Sequence, residues 1–497
     1  MTSATDCILT AQWVLPITSP PVPEGAVEVK GGRIRRVGRA GEILLAGGEP
    51  LEVIDFGCAA LLPGLVNAHS HLELTVLRGL FEDLDFFRWI RRLTEAKYQH
   101  LNRSDFQVSS RWGALEALRA GITTLGDASD RGEVFDALLE SGQRGIVYQE
   151  VFGPHPSEAE ASLKALEGAV DSLLARGAPR VKVGVSPHAP YTVSPRLFRD
   201  VTELALKRGL PLAIHAAESR WERLLVEEGK GPFAEQLRQR GIPWHAPGVS
   251  TVTYLSNLGV LQAKPLLIHA IDVSGEDLEK IRSSGSAVAH CPKSNAKLCH
   301  GVAPLVEILS KGIKAGLGTD SVASNNGCDL LEEARFACLL QRARSGASGL
   351  DLGLLDARAL LRLMTLGGAE ALGLAGEIGS IDPGKAADLI AVDLSGSHLT
   401  PSYDPEVTLV SSATGRDVVW AMVDGRVLFE GGKVRTLDES TLRENLLAAA
   451  RKLVTTPRAQ QPSAPGIWGQ PDPRPSRKPM DSAGETECFP GPREGHP

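Results

Sequence analysis

The chain has 497 residues, 42% of them hydrophobic, with 53 basic side chains against 60 acidic ones and a formal charge of -7. That length supports one large core plus an accessory domain. The negative balance argues against a nucleic-acid partner, and the lack of an apolar stretch of about 18 residues argues against a transmembrane helix or membrane partner.

The first residues, MTSATD, show no basic region followed by an apolar one, so no secretory leader is expected. Seven cysteines lie scattered without CxxC spacing, which predicts reduced thiols and a cytoplasmic protein. Residues 1–60 read as β-rich, with alternating apolar positions between glycines, as in GAVEVKGG at 25–32. From 61 to 375, short apolar runs alternate with amphipathic stretches at 109–120, 159–176, 195–208 and 274–283. The runs end near His69, Asp127, Glu150, His188, His215, His269, His290 and Asp320. Eight βα units predict an α/β fold of the (β/α)8 TIM type. A doubly wound sheet would more often show a glycine-rich dinucleotide turn after its first strand, and none is present. Residues 376–436 are again β-rich, and with 1–60 they are expected to form a small β-sandwich built from both chain ends. A C-terminal helix is expected at 437–455, and a disordered Pro-rich tail at 456–497.

The most informative stretch is Asn67-Ala68-His69-Ser70-His71 at the end of its apolar run. Two histidines one residue apart on a strand point the same way and can serve one metal ion. Alone, such a pair is as readily two packed or surface histidines. Four later runs, VGVSPH ending at His188, PLAIH at His215, PLLIH at His269 and AGLGTD at Asp320, turn the odds, because parallel α/β folds gather their sites at strand carboxyl ends. His69, His71 and His215 would supply three nitrogens and Asp320 a carboxylate oxygen to one divalent ion, zinc before iron. The ion's water would become hydroxide near neutral pH. Glu218, three residues past His215, suits a proton shuttle to a ring nitrogen or leaving group. His269 would orient the attacking oxygen, and Asp320 would bind metal and then accept a proton.

The motifs HSH after PGLVNA, SPHAPYTVS, HAAES, IHA, HCPKSN with KLCHG, and GLGTDSVASNN together resemble the amidohydrolase superfamily. The likeness is to its cytosine-deaminase-like branch, which includes S-adenosylhomocysteine, methylthioadenosine and aminodeoxyfutalosine deaminases. It runs from about residue 4 to 432. The resemblance implies that His69, His71, His215 and Asp320 hold the metal, that Glu218 and His269 move protons, and that His188 touches the substrate base. Such relatives carry an acidic residue after strand one that binds ribose hydroxyls, usually following a proline. Here the proline is missing, and Glu95 is the nearest match. Glu73, in HSHLEL, follows the aminodeoxyfutalosine-type relatives. Binuclear relatives bridge two ions through a lysine at the end of strand four. Lys182 stands six residues before His188, expected buried in the strand body, so a single ion is expected.

The implied reaction is deamination of an adenine nucleoside, a small heterocyclic substrate. Hydrolytic deamination or dechlorination of guanine, cytosine or a triazine is the alternative. A decayed, non-catalytic barrel is disfavoured because all six residues stand in place. Relatives are frequently homo-oligomers, although no sequence feature sets an oligomer here. His290 reads as part of a supporting turn, and Ser294 and Asn295 as residues that orient ligands. Cys291 has no partner base by motif, which argues against a nucleophile. His100, His155, His245, His300, His398 and His496 are expected at the surface.

Overall fold

A computed structural model describes residues 4–45, 51–345 and 352–455, so the expected tail lies outside the described residues. The barrel wall is made of β1 (Leu65–Ser70), β2 (Ile122–Ser129), β3 (Arg144–Val151), β4 (Val181–Pro187), β5 (Ala213–Ala216), β6 (Leu266–His269), β7 (Ala287–His290) and β8 (Ala315–Leu317). These form two four-stranded sheets, β1 to β4 and β5 to β8, with every pair parallel. Two single bridges close the ring, Val185 to Leu212 and Ser70 to Asp320. The second places Asp320 beside the HxH segment through the bond from its N–H to the His69 carbonyl, 2.9 Å. Such strands are covered on both faces, which explains why they read as continuous apolar runs and not as alternation.

Every barrel-strand residue is buried except Lys182. The expectation that Lys182 is buried is therefore corrected: its side chain is 46% exposed and pairs with Glu377 at 3.5 Å. It is the second residue of β4, at the barrel end opposite the histidines, where solvent reaches the rim.

Local chemistry sets the helix ends. In the helix Pro195–Arg208, Ser194 accepts from the Leu197 N–H, Pro195 opens the first turn, and Gly209 closes it at φ 62°. The helix Arg103–Arg119 starts with a reciprocal Asn102–Asp105 capping box. The helix Leu366–Ala371 lies against β8 and β1, where a Cβ on Gly316 would meet the Gly368 Cα at 2.6 Å. Only paired glycines allow that approach.

Both chain ends contribute strands to one nine-stranded sheet. Its seam is the antiparallel pairing of Ala59–Pro63 with Leu389–Asp393, so the expected boundary at 60/61 falls inside a sheet strand, and the barrel begins after Gly64. Arg144, the first residue of β3, reaches Asp388 at 2.8 Å, a buried tie between barrel and sheet. The helix Glu439–Thr455 is held to the helix Arg103–Arg119 by Lys452–Asp105 and Arg119–Glu439 pairs, each 2.6 Å. Met1–Leu453 forms one compact unit, and of the second, Val454–Pro497, only the end of this helix is described. Among the described residues no helix is long and apolar enough to cross a membrane.

Candidate active site

At the carboxyl end of the barrel, β1 delivers His69 and His71 with ring centroids 4.8 Å apart, and β5 adds His215 at 5.0 Å from His69 and 5.5 Å from His71. Asp320, just past β8, turns Oδ1 toward both strand-one rings, 3.5 Å from His69 Nε2 and 3.7 Å from His71 Nε2. Ser294 and Ser324 donate to its Oδ2 at 2.5 and 3.0 Å, and the Ser321 N–H donates to Oδ1 at 2.6 Å. Asn67 locks the two ends together, accepting from the Thr319 N–H at 3.0 Å and donating to its hydroxyl at 2.8 Å.

Several of these groups sit on unusual backbone. Asp320 (φ 56°), His269 (φ 76°), Ala217 (φ 53°) and Ala270 (φ 44°) all occupy the left-handed region. That strain persists only where surrounding structure over-determines it, and it concentrates at working sites. Around Ala217 the cause is visible: Glu222 accepts from the N–H groups of Ala217 and Glu218, at 2.8 and 3.2 Å, bending the chain as it leaves β5.

Ligand atoms of His69, His71 and His215 lie within 4.8 Å of one another, as do those of His69, His269 and Asp320. His69 Nε2 is buried without a hydrogen-bond partner, the condition of a nitrogen built to face a cation. Burial drives the three imidazoles below their ordinary range, most strongly His71 and His215, so they are neutral and able to ligate. Burial alone would raise Asp320, but the imidazoles of His69, His71 and His269 around it hold its carboxyl well below the usual range. The donor set therefore fits a divalent ion.

Glu218 lies beside this cluster, 6% exposed, with Oε1 3.6 Å from His269 Nε2. Tyr191 donates to Glu218 Oε2 at 3.1 Å. His269 Nδ1 is 2.9 Å from Asn295 Oδ1, which can only accept, so Nδ1 carries the proton. His188, after β4, bonds Thr192 through Nδ1 at 2.8 Å and packs 4.7 Å from the His215 ring, and burial pushes it down to about 3. Its other ring neighbours are Phe152 at 4.9 Å and Tyr191 at 5.9 Å.

The structure thus gathers His69, His71, His188, His215, Glu218, His269 and Asp320 in one mouth. Glu95 ends the helix Phe86–Glu95 half-buried, and two residues further on Lys97 is buried. Lys97 is 6% exposed, with Nζ 2.5 Å from Glu73 Oε1 and 3.2 Å from Asp130 Oδ2. Glu73, fully buried, also accepts from Ser129 at 2.7 Å, which gives this residue a place in a buried ion cluster. Glu150 completes the wall, its Oε1 unpartnered and its carboxyl within 4.8 Å of His188 and His215 nitrogens.

The placement of His300 at the surface is overturned. Its side chain is 3% exposed and its Nε2 lies 3.6 Å from Glu218 Oε1. The helix Phe86–Glu95 covers it, with the Phe86 ring 4.5 Å away. Tyr191 and His300 both sit inside the SPHAPY and KLCHG motifs, which was the available signal; nothing in sequence marked Glu222 or Lys97. Cys291 is buried, and burial raises its thiol well above the ordinary value, away from a thiolate nucleophile.

A metal-dependent hydrolase barrel is the class that this fold and mouth define. Residues 60–428 match the amidohydrolase family, and the chain belongs to that family. It is 36% identical over 429 residues to a 5-methylthioadenosine/S-adenosylhomocysteine deaminase of Moorella thermoacetica, covering 86% of this chain and 94% of the relative. A protein of the same name from Nitratidesulfovibrio vulgaris is 34% identical, with 85% and 91% covered. Among solved structures, a zinc-bound adenosine deaminase from Xanthomonas campestris superposes with a TM-score of 0.79 at 28% identity, covering 92% of this chain and all of that one. The atrazine chlorohydrolase of Arthrobacter aurescens, at TM-score 0.75 and 22% identity over 89% of this chain and all of that one, shares the fold.

Proposed function

We propose that the chain is an aminohydrolase that replaces the exocyclic amine of an adenine nucleoside by oxygen, consuming water and releasing ammonia. The observation that carries this reading is the carboxyl of Glu218 set 3.6 Å from His269 Nε2 beside three neutral imidazoles and an ionised Asp320. His69, His71, His215 and Asp320 would hold one divalent ion, zinc before iron, and that ion supplies Lewis acidity that brings water's pKa from about 15.7 to about 7. Glu218 takes a proton from the attacking water and delivers it to the ring nitrogen beside the carbon under attack. His269, its Nδ1 proton committed to Asn295, keeps a lone pair at Nε2 to orient that water. Asp320 then accepts the remaining proton, which leaves with the amine as ammonia. His188 contacts the base, Glu95 the ribose hydroxyls, and the Glu150 carboxyl lies within 4.8 Å of the His188 ring nitrogen.

The substrate assignment draws on the names of the two relatives above and on the zinc-bound adenosine deaminase. The sheet built from both ends serves as a buttress, a small β-domain beside the barrel that begins after Gly64. The described cysteines are all free, which supports a reducing, cytoplasmic location.

The test is ammonia release and the adenine-to-hypoxanthine absorbance change with zinc-loaded protein. The panel holds methylthioadenosine, S-adenosylhomocysteine, adenosine, aminodeoxyfutalosine, guanine, cytosine and a chlorotriazine, each with a chelator control. Chelator-sensitive turnover of one adenine nucleoside is expected, with Glu218→Gln slower by about 10²–10⁴. Turnover confined to guanine, cytosine or triazine, or a Glu218→Gln variant within about tenfold of wild type, would overturn the reading.

A further inference from the structure

The loop after β7 carries an imidazole that the proposed chemistry leaves idle. His300 has its Nε2 buried without a hydrogen-bond partner, 3.6 Å from Glu218 Oε1. Its ring is held edge-on against Phe86 at 4.5 Å, and its backbone N–H is tied to the Asn295 carbonyl at 2.9 Å. A ring this fixed, with a bare polar atom turned to a carboxylate, needs an explanation beyond packing.

The protons around Glu218 supply one. Tyr191 donates to Oε2. Oε1 faces two imidazole nitrogens at 3.6 Å, those of His269 and His300. His269 Nδ1 is committed to Asn295 Oδ1, and its Nε2 serves the attacking water in the proposed chemistry. Among the described residues His300 Nε2 has no other hydrogen-bond partner, and it is the neighbour free to supply an N–H.

We propose that His300 is a positioning residue for Glu218, donating from Nε2 to Oε1 while Tyr191 donates to Oε2. Held at both oxygens, the carboxylate keeps one rotamer as it takes up and gives away its proton. The 3.6 Å separation exceeds that of a formed hydrogen bond and closes in the Michaelis complex, where catalytic hydrogen bonds tighten. The inference rests on Glu218 as the proton carrier.

His300→Phe keeps a ring beside Phe86 and removes the N–H, whereas His300→Gln keeps an N–H near the place of Nε2. Both are assayed with zinc-loaded full-length protein on methylthioadenosine, alone and in the Glu218→Gln background, alongside ¹⁵N–¹H spectra of histidine-labelled protein. His300→Phe should lower kcat about 10- to 100-fold, the loss of one hydrogen bond to a charged group, with KM changed less than about threefold. His300→Gln should recover most of it, and His300→Phe should add little once Glu218 is already Gln. The spectra should show His300 protonated at Nε2, with a resonance that moves in Glu218→Gln. Losses that add in the double variant, no rescue by Gln, or a His300 protonated at Nδ1 would overturn the proposal. If Glu218→Gln turns over at the wild-type rate, the proton-carrier reading itself falls. An Nε2 proton insensitive to Glu218→Gln then overturns the present inference separately. If His300→Phe does not fold, His300→Gln and the wild-type spectra carry the test.

Discussion

Replacing Lys97 by Met should cost about 3–5 kcal/mol of stability, the range for stripping one partner from a buried ion pair. The geometry sets that expectation. Lys97 is 6% exposed, Glu73 is fully buried, and Nζ lies 2.5 Å from Glu73 Oε1 and 3.2 Å from Asp130 Oδ2. Methionine preserves the stem and removes the charge, leaving Glu73 with the Ser129 hydroxyl at 2.7 Å. An exposed pair would cost only about 0–1 kcal/mol, so the measurement separates the two cases. Burial pushes the Glu73 carboxyl up, and Lys97 opposes that push. Without Lys97 the carboxyl takes a proton more readily, so the deficit should shrink as pH falls. Adding Glu73→Gln should recover at least about half of the loss, since the fully buried charge is then gone and Asp130 keeps Arg131 at 3.7 Å and the Tyr98 hydroxyl at 2.6 Å. Urea denaturation followed by tryptophan fluorescence, at fixed metal concentration, reads all three proteins. A single-variant loss below about 1 kcal/mol, or a double variant no better than the single, would refute the reasoning.

In the metal-free protein His290 should cost stability toward acid while Glu222 and Glu333 cost it toward alkali, the two slopes opposing each other between about pH 4.5 and 6.5. Burial lowers His290 from 6.5 to about 3, so its contribution is complete above 6.5 and is lost as pH falls toward 3. Burial raises Glu222 and Glu333 from 4.5 to about 8, so both hold protons that the unfolded chain has released, and stability declines as pH rises from 4.5 through 8. Thermal melts of wild type and Glu333→Gln check this, and an unchanged alkaline slope in the variant would count against it. Asn295→Ala removes the acceptor of His269 Nδ1 at 2.9 Å and should lower kcat about 10- to 100-fold by steady-state kinetics, while an effect under about twofold would discount the tautomer argument. His71→Ala should abolish stoichiometric metal by elemental analysis. A chelator should lower the wild-type melting temperature, since metal at about 1,000 times its Kd contributes about 4 kcal/mol; unchanged metal content in the variant would remove His71 from the ligand set.

Much of this molecule can be read along the chain. The barrel was legible because parallel strands covered on both faces are rich in apolar residues, and the runs close near an ionisable side chain. His69, His71, His215, His269 and Asp320 stood out for the same reason: an ionisable side chain closing an apolar run marks a strand's carboxyl end. The helix Pro195–Arg208 could be delimited to the residue, because Ser194, Pro195 and Gly209 act on their own turns.

What lay beyond the sequence depends on residues brought together from distant segments. His300 reads as a loop histidine until Phe86, from the helix after β1, closes over it. Glu73, Lys97 and Asp130 carry no spacing that announces a cluster, since Glu73 and Lys97 stand 24 residues apart in the β1–β2 connection and Asp130 follows β2. Lys182 reads as buried because its neighbours are, yet its place at the far rim leaves it in water. Local pattern determined the elements and the order in which ligands appear, because turn chemistry and strand burial act within a few residues. Only barrel closure, through the Ser70–Asp320 and Val185–Leu212 bridges, decided which of those groups face one another and which proton each can hold.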